Sequence, residues 1–153
     1  MKMTTLLAAT FAAAAAPTYA DVAVMDAYAR VATPMSKSGA AFMMIHNTGP
    51  EERRLVSVGS DAAKRVEIHT HTETDGVMKM HEIEGGIVLP AGQAHTLARG
   101  GDHLMFMGLT DRWDQGDTIF VTLTFENGET LEIEIPVDLE RRPEQGGHAK
   151  HSH

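Results

Sequence analysis

Between Asp21 and Val137 the chain never sustains a helical apolar period for as long as three turns, while turn-forming clusters interrupt it repeatedly. Asn47-Thr48-Gly49-Pro50, Asp75-Gly76, Gly85-Gly86, Pro90-Ala91-Gly92, Gly100-Gly101, Gln115-Gly116-Asp117 and Asn127-Gly128 cut it into pieces of strand length. The pieces alternate. Val121, Leu123 and Phe125 are separated by Thr122 and Thr124, and beyond Asn127-Gly128 the residues Leu131, Ile133 and Ile135 are separated by Glu132 and Glu134. Such strands have one apolar and one polar face, as half-buried antiparallel strands require. The pattern predicts an all-β sandwich or barrel, built as one domain over residues 21–138.

The two ends read differently. Residues 1–20, MKMTTLLAATFAAAAAPTYA, place Lys2 before an apolar run from Leu6 to Ala16, then Pro17 and small residues ending at Ala20. This is the layout of a secretory signal peptide cleaved near Ala20, and the run is too short for a membrane span, which needs roughly 20 apolar residues. Residues 139–153 lose the alternation. They hold Arg141-Arg142-Pro143, Gly146-Gly147 and His148, His151 and His153, and read as a disordered His-containing tail.

Charge and cysteine content exclude several functions. The formal charge is −8, and loss of residues 1–20 would take it to −9, which leaves no broad basic surface for a nucleic acid. With no Cys there is no disulfide, no thiolate metal site, no thiol catalysis and no blue-copper centre. An exported domain without Cys is held by its core alone. Ten Met and nine His remain as metal-binding side chains.

Those residues concentrate in VEIHTHTETDGVMKMHEIEGG and GGDHLMFMGL. By strand period Val66 and Ile68 point one way, and Glu67, His69 and His71 the other. Met78 and Met80 share a face. A four-residue Glu73–Gly76 loop would set His69 opposite Met80 and His71 opposite Met78, about 5 Å apart at Cβ, whereas a two-residue Asp75-Gly76 turn would set His71 opposite Met80. In the third run Leu104 and Phe106 form the natural core pair, turning His103, Met105 and Met107 to the opposite face. Thioether with neutral imidazole is a donor set that favours Cu(I) over harder divalent ions. Met also fills gaps in cores, and any single His here is readily a hydrogen-bonded structural residue; the joint placement is what points to copper.

With these runs in view, the sequence resembles the periplasmic copper chaperones of the PCu(A)C type. Their signature is a His, ten residues, a Met, about twenty-one residues, then His-x-Met. Here His69 is followed by ten residues and Met80, then by twenty-two residues and His103-Leu104-Met105. The flanking AYARVATP, AAFMMIHNTG, LPAG and GDTIFVTLTFENG–EIEIPV segments are similar as well, over roughly Val22–Val137. The resemblance implies a cupredoxin-like Greek-key β-sandwich that binds one Cu(I) at its surface through His69, Met80, His103 and Met105. It implies no catalytic residues and no turnover. It further implies a periplasmic, monomeric carrier that hands Cu(I) to an acceptor, such as a Sco-type protein or a cytochrome c oxidase subunit, towards the binuclear copper centre of that oxidase.

Other residues carry secondary expectations. His71 and Met78 flank the ligand set as auxiliary ligands or as ordinary surface residues. His81 should face away. Met107 suits either the site's rim or the core, and Met43, Met44 and His46 suit packing, as does Trp113. The tail residues His148, His151 and His153 form a pattern that can wrap Cu(II), the ion of highest affinity for nitrogen donors. Two rivals stand beside the chaperone: a copper sequestration or resistance protein with no dedicated recipient, and a cupin-type metalloenzyme using His69-x-His71 and His95. The cupin pattern fits poorly, because Glu73 comes too soon, Asp75 is the only acid at suitable spacing, and Arg99 stands where Asn is expected.

Overall fold

A computed structural model describes residues 21–142. The expected signal segment and the tail histidines His148, His151 and His153 therefore lie outside the described residues. Ten strands follow in order: β1 (Val22–Arg30), β2 (Ser38–Asn47), β3 (Arg53–Gly59), β4 (Ala63–Thr74), β5 (Val77–Glu82), β6 (Ile87–Leu89), β7 (Ala94–Leu97), β8 (His103–Leu109), β9 (Thr118–Phe125) and β10 (Thr130–Pro136). No helix occurs among the described residues. One sheet runs β1-β2-β8-β4-β5, with β7 also paired to β2, and the other runs β10-β9-β3-β6. All named pairs are antiparallel.

The alternation seen in the sequence becomes the two inner faces. Val121, Leu123 and Ile135 of one sheet and Ala41, Ile45, Leu104 and Phe106 of the other have no exposed surface. Each large apolar side chain so buried contributes about 1.5–3 kcal/mol, which is how a domain without disulfides is held. Trp113 closes one end, its ring meeting Phe106 edge-on at 5.1 Å between centroids. Gly39 is required beneath it, because a Cβ at that position would run into the indole ring.

At Asp75-Gly76 both residues have positive φ, 53° and 75°, the type I′ geometry that a two-residue hairpin needs. This selects the shorter of the two β4–β5 registers: His71 lies opposite Met80, and His69 opposite Glu82. The four-residue loop, which placed His69 opposite Met80, does not form. Beyond Asp138 the described residues 139–142 lie against the domain. There Leu139 N–H donates to Gln115 Oε1 at 2.6 Å, and the Arg141 guanidinium lies over the Tyr28 ring at 4.2 Å.

Candidate metal centre

β4 and β8 are inner strands of the first sheet, and their register sets Ile68 opposite Leu104, His69 opposite His103, and Glu67 opposite Met105. Because side chains alternate, fixing Ile68, Leu104 and Phe106 in the core forces Glu67, His69, His71, His103 and Met105 onto the outer face. The three imidazoles meet there. His71 stacks on His103 at 5.2 Å between ring centroids, and His69 meets His103 edge-on at 6.0 Å. His69 and His103 are buried, at 8% and 3% exposure.

Each ring is oriented by an oxygen that can only accept. His69 Nε2–H donates to Glu67 Oε2 at 2.8 Å, and Arg65 Nε holds the other carboxylate oxygen at 2.7 Å. His103 Nδ1–H donates to the Gly101 carbonyl at 3.0 Å, and His71 Nδ1–H reaches the same carbonyl at 3.3 Å. In the neutral rings the lone pairs are then at His69 Nδ1, His103 Nε2 and His71 Nε2. His69 Nδ1 is buried without any hydrogen-bond partner. An orphaned buried acceptor costs stability unless something occupies it, so this nitrogen is available to a ligand. Burial also pushes the His103 pKa below the usual imidazole range, partly opposed by the Gly101 carbonyl and reinforced by His71 and His69. The shift favours the neutral ring, the form in which an imidazole can bind a metal.

The thioethers stand around these rings. Met80, on β5, is 45% exposed; it faces His71 directly and lies diagonally from His69, a separation of roughly 7–8 Å at Cα that a Met side chain spans. Met105 follows His103 by two residues on the same face and lines a shallow cavity of about 440 Å³ with Phe42 and Arg99. Met78 is one step further out, opposite Glu73. Met107 is on the outer face as well, in contact with the Arg65 guanidinium at 3.5 Å, and is not part of the core. His81 lies opposite Thr70 and faces away from the rings. Of the β2 residues Met43 is buried, Met44 is half exposed, and His46 reaches the Gly92 carbonyl at 3.3 Å.

His95, named in the cupin alternative, lies on β7 and donates to Asp102 Oδ2 at 2.8 Å. Two features of the site were not read from the sequence. One is the Glu67 carboxylate against His69, whose only sequence signal was the shared strand face. The other is the Gly101 carbonyl, which had no signal because a backbone oxygen leaves no trace in residue type.

Two antiparallel sheets with a His/Met cluster on one outer face define the cupredoxin-like β-sandwich class to which PCuAC domains belong. The "Copper-bound PCuAC domain from PmoF2" superposes with a TM-score of 0.64 at 20% identity, over 78% of this chain and 94% of that one, so the expected fold is borne out. Residues 22–137 match the family described as "Putative lipoprotein LpqE-like", and the chain belongs to that family. The protein "Putative lipoprotein Lxx21020" of Leifsonia xyli is 38% identical over 98 residues; the match covers 64% of this chain and about three-fifths of that relative's length. The "Solution structure of CuI-DR1885 from Deinococcus Radiodurans" matches at 29% identity with a TM-score of 0.58, over 76% of this chain and 79% of that one. The word lipoprotein is said of those relatives. Among the described residues no helix is long and apolar enough to cross a membrane.

Proposed function

We propose that this protein is a copper chaperone that binds one Cu(I) through His69, Met80, His103 and Met105 and gives it up to an acceptor protein. His71, stacked on His103 and facing Met80, is an auxiliary donor. The observation that carries the reading is the unpartnered, buried Nδ1 of His69 beside a second imidazole whose tautomer turns its lone pair outward. The donors are all neutral and mostly soft, a set suited to a monovalent copper ion and weaker than a pair of thiolates. Such a site loads Cu(I) yet yields it to a thiolate acceptor. The half-exposed Met80 is where an incoming ligand can reach the metal while the histidines still hold it. The structures named above include a copper-bound PCuAC domain and a Cu(I)-bound protein, which supports cargo of this kind.

The chaperone acts after export, with residues 1–20 removed, in the periplasm, and delivery runs towards the binuclear centre of cytochrome c oxidase. No reaction is catalysed. The test is titration with Cu(I) against a competing chromophoric chelator, repeated with Met80→Ala, Met105→Ala and His103→Ala. The expected result is one equivalent in the wild type and at least tenfold weaker binding in each variant. Wild-type affinity in all three, or zero stoichiometry, overturns the assignment. Retention of Cu(I) in the presence of a thiolate acceptor would favour sequestration over delivery. A Cu(II) site on His148, His151 and His153 is tested separately by truncation after Arg142.

A further inference from the structure

A row of rings crosses the outer face of the first sheet. His71 stacks on His103, Phe42 lies 6.1 Å from His103, and Tyr28 lies 5.2 Å from Phe42. Tyr28 reaches this row through a bulge in β1, where the register against β2 shifts between Met25 and Tyr28 and Asp26 has φ of 55°. The far end of the row is cationic. The Arg141 and Arg99 guanidinium carbons lie 4.2 and 5.9 Å from the Tyr28 centroid, and Arg99 Nη2 donates to the Arg141 carbonyl at 2.7 Å. Arg142 joins them around a cavity of about 420 Å³. Arg30 and Arg99 line the adjoining cavity that contains Met105.

We propose that this arginine rim, with Arg30 and Arg99 beside Met105 and Arg142 in the adjoining cavity, is the docking surface for an acidic segment of the protein that accepts the copper. The inference rests on the copper-carrier reading and names the chemistry of its partner. Arg141 is paired with Asp26, but neither Arg30 nor Arg99 forms an ion pair with a carboxylate among the described residues. Arg99 Nε is buried and has no hydrogen-bond partner. Guanidinium groups with no carboxylate partner stand out in a chain of formal charge −8. On the opposite flank of the imidazoles the outer face carries Glu73 and Glu82. The face is therefore polarised, positive towards β1 and β2 and negative towards β5. Such a field orients an incoming partner with its acids over the arginines, which carries its ligands to Met105 and His103. Because Arg99 and Phe42 line both cavities, the rim is continuous with the proposed metal site.

The experiment uses two synthetic acceptor peptides with one Cys-x-x-Cys core, one flanked by Glu and the other by Lys. In a copper-free arm with Cys replaced by Ser, NMR shifts of the apoprotein are followed as each peptide is added at low salt. The Glu-flanked peptide is expected to move signals of Tyr28, Arg30 and Arg99, and Arg30→Glu with Arg142→Glu to abolish the effect. Arg142 is exposed and Arg30 partly so, and an unchanged thermal midpoint shows that the double variant is folded. In the copper arm the loaded protein should transfer Cu(I) faster to the Glu-flanked peptide, with the charge reversal slowing that transfer about tenfold. A preference for the Lys-flanked peptide, shifts mapping elsewhere, or binding to phosphatidylglycerol vesicles without peptide shifts overturns the proposal. Peptide docking by a protein that does not load Cu(I) would leave the rim intact and sink the copper reading instead.

Discussion

Removing the Glu67 carboxylate is the most direct test of how the site is organised. Glu67 and His69 are largely buried, with side-chain exposures of 16% and 10%, and the bond between them is 2.8 Å long. The carboxylate fixes the Nε2–H tautomer of His69 and so presents Nδ1 to the ligand. Loss of an oxygen that orients a metal-binding imidazole typically costs 10–100-fold in metal affinity. For Glu67→Ala the expected loss of Cu(I) affinity is therefore about 1.4–2.7 kcal/mol. Glu67→Gln keeps an acceptor oxygen and should fall within about tenfold of wild type. Arg65 is 67% exposed and touches the carboxylate and the Met107 sulfur, so Arg65→Ala should change affinity least. Chelator competition gives the affinities, and nitrogen-15 shifts of the His69 ring give its tautomer. If Glu67→Ala binds Cu(I) as tightly as wild type while His69 keeps its proton on Nε2, the carboxylate does not position the ring and the reasoning fails.

Further expectations concern pH and packing. Burial lowers the His103 pKa in the folded state, so the unfolded chain binds the proton more readily. The apoprotein should hold its full stability above about pH 6.5, the ordinary imidazole value, and lose it as pH falls towards the folded pKa. His103→Gln should flatten that dependence in thermal unfolding; an apoprotein whose midpoint rises on acidification over the same window refutes the sign. Gly39→Ala places a methyl group against the Trp113 ring and should destabilise by about 1–3 kcal/mol, as measured by denaturant unfolding, and a neutral result would mean that the indole moves freely.

Much of the fold was legible because its information is local. The alternation of Val121, Leu123 and Phe125 with Thr122 and Thr124 fixes a two-faced strand before any contact is known, and in the structure those three apolar residues are buried. The same rule placed His103, Met105 and Met107 opposite Leu104 and Phe106. Register was less legible. Asp75-Gly76 is compatible with either hairpin until the positive φ of both residues is seen, and that geometry moves Met80 from His69 to His71.

The all-β class, the lack of thiols and the side of each strand on which the His and Met residues stand are readable along the chain, since composition and a two-residue period are local properties. Which of those residues meet depends on how the strands pair. Pairing β4 with β8, strands separated by three others in the chain, puts His69 against His103 and brings both His71 and His103 to one backbone carbonyl at Gly101. The closed fold also gathers Arg30 and Arg99 beside Met105, with Arg142 in the adjoining cavity, residues that no local pattern connects. Long-range pairing is set by the complementarity of whole faces burying a shared core, and that is decided only when the chain closes on itself.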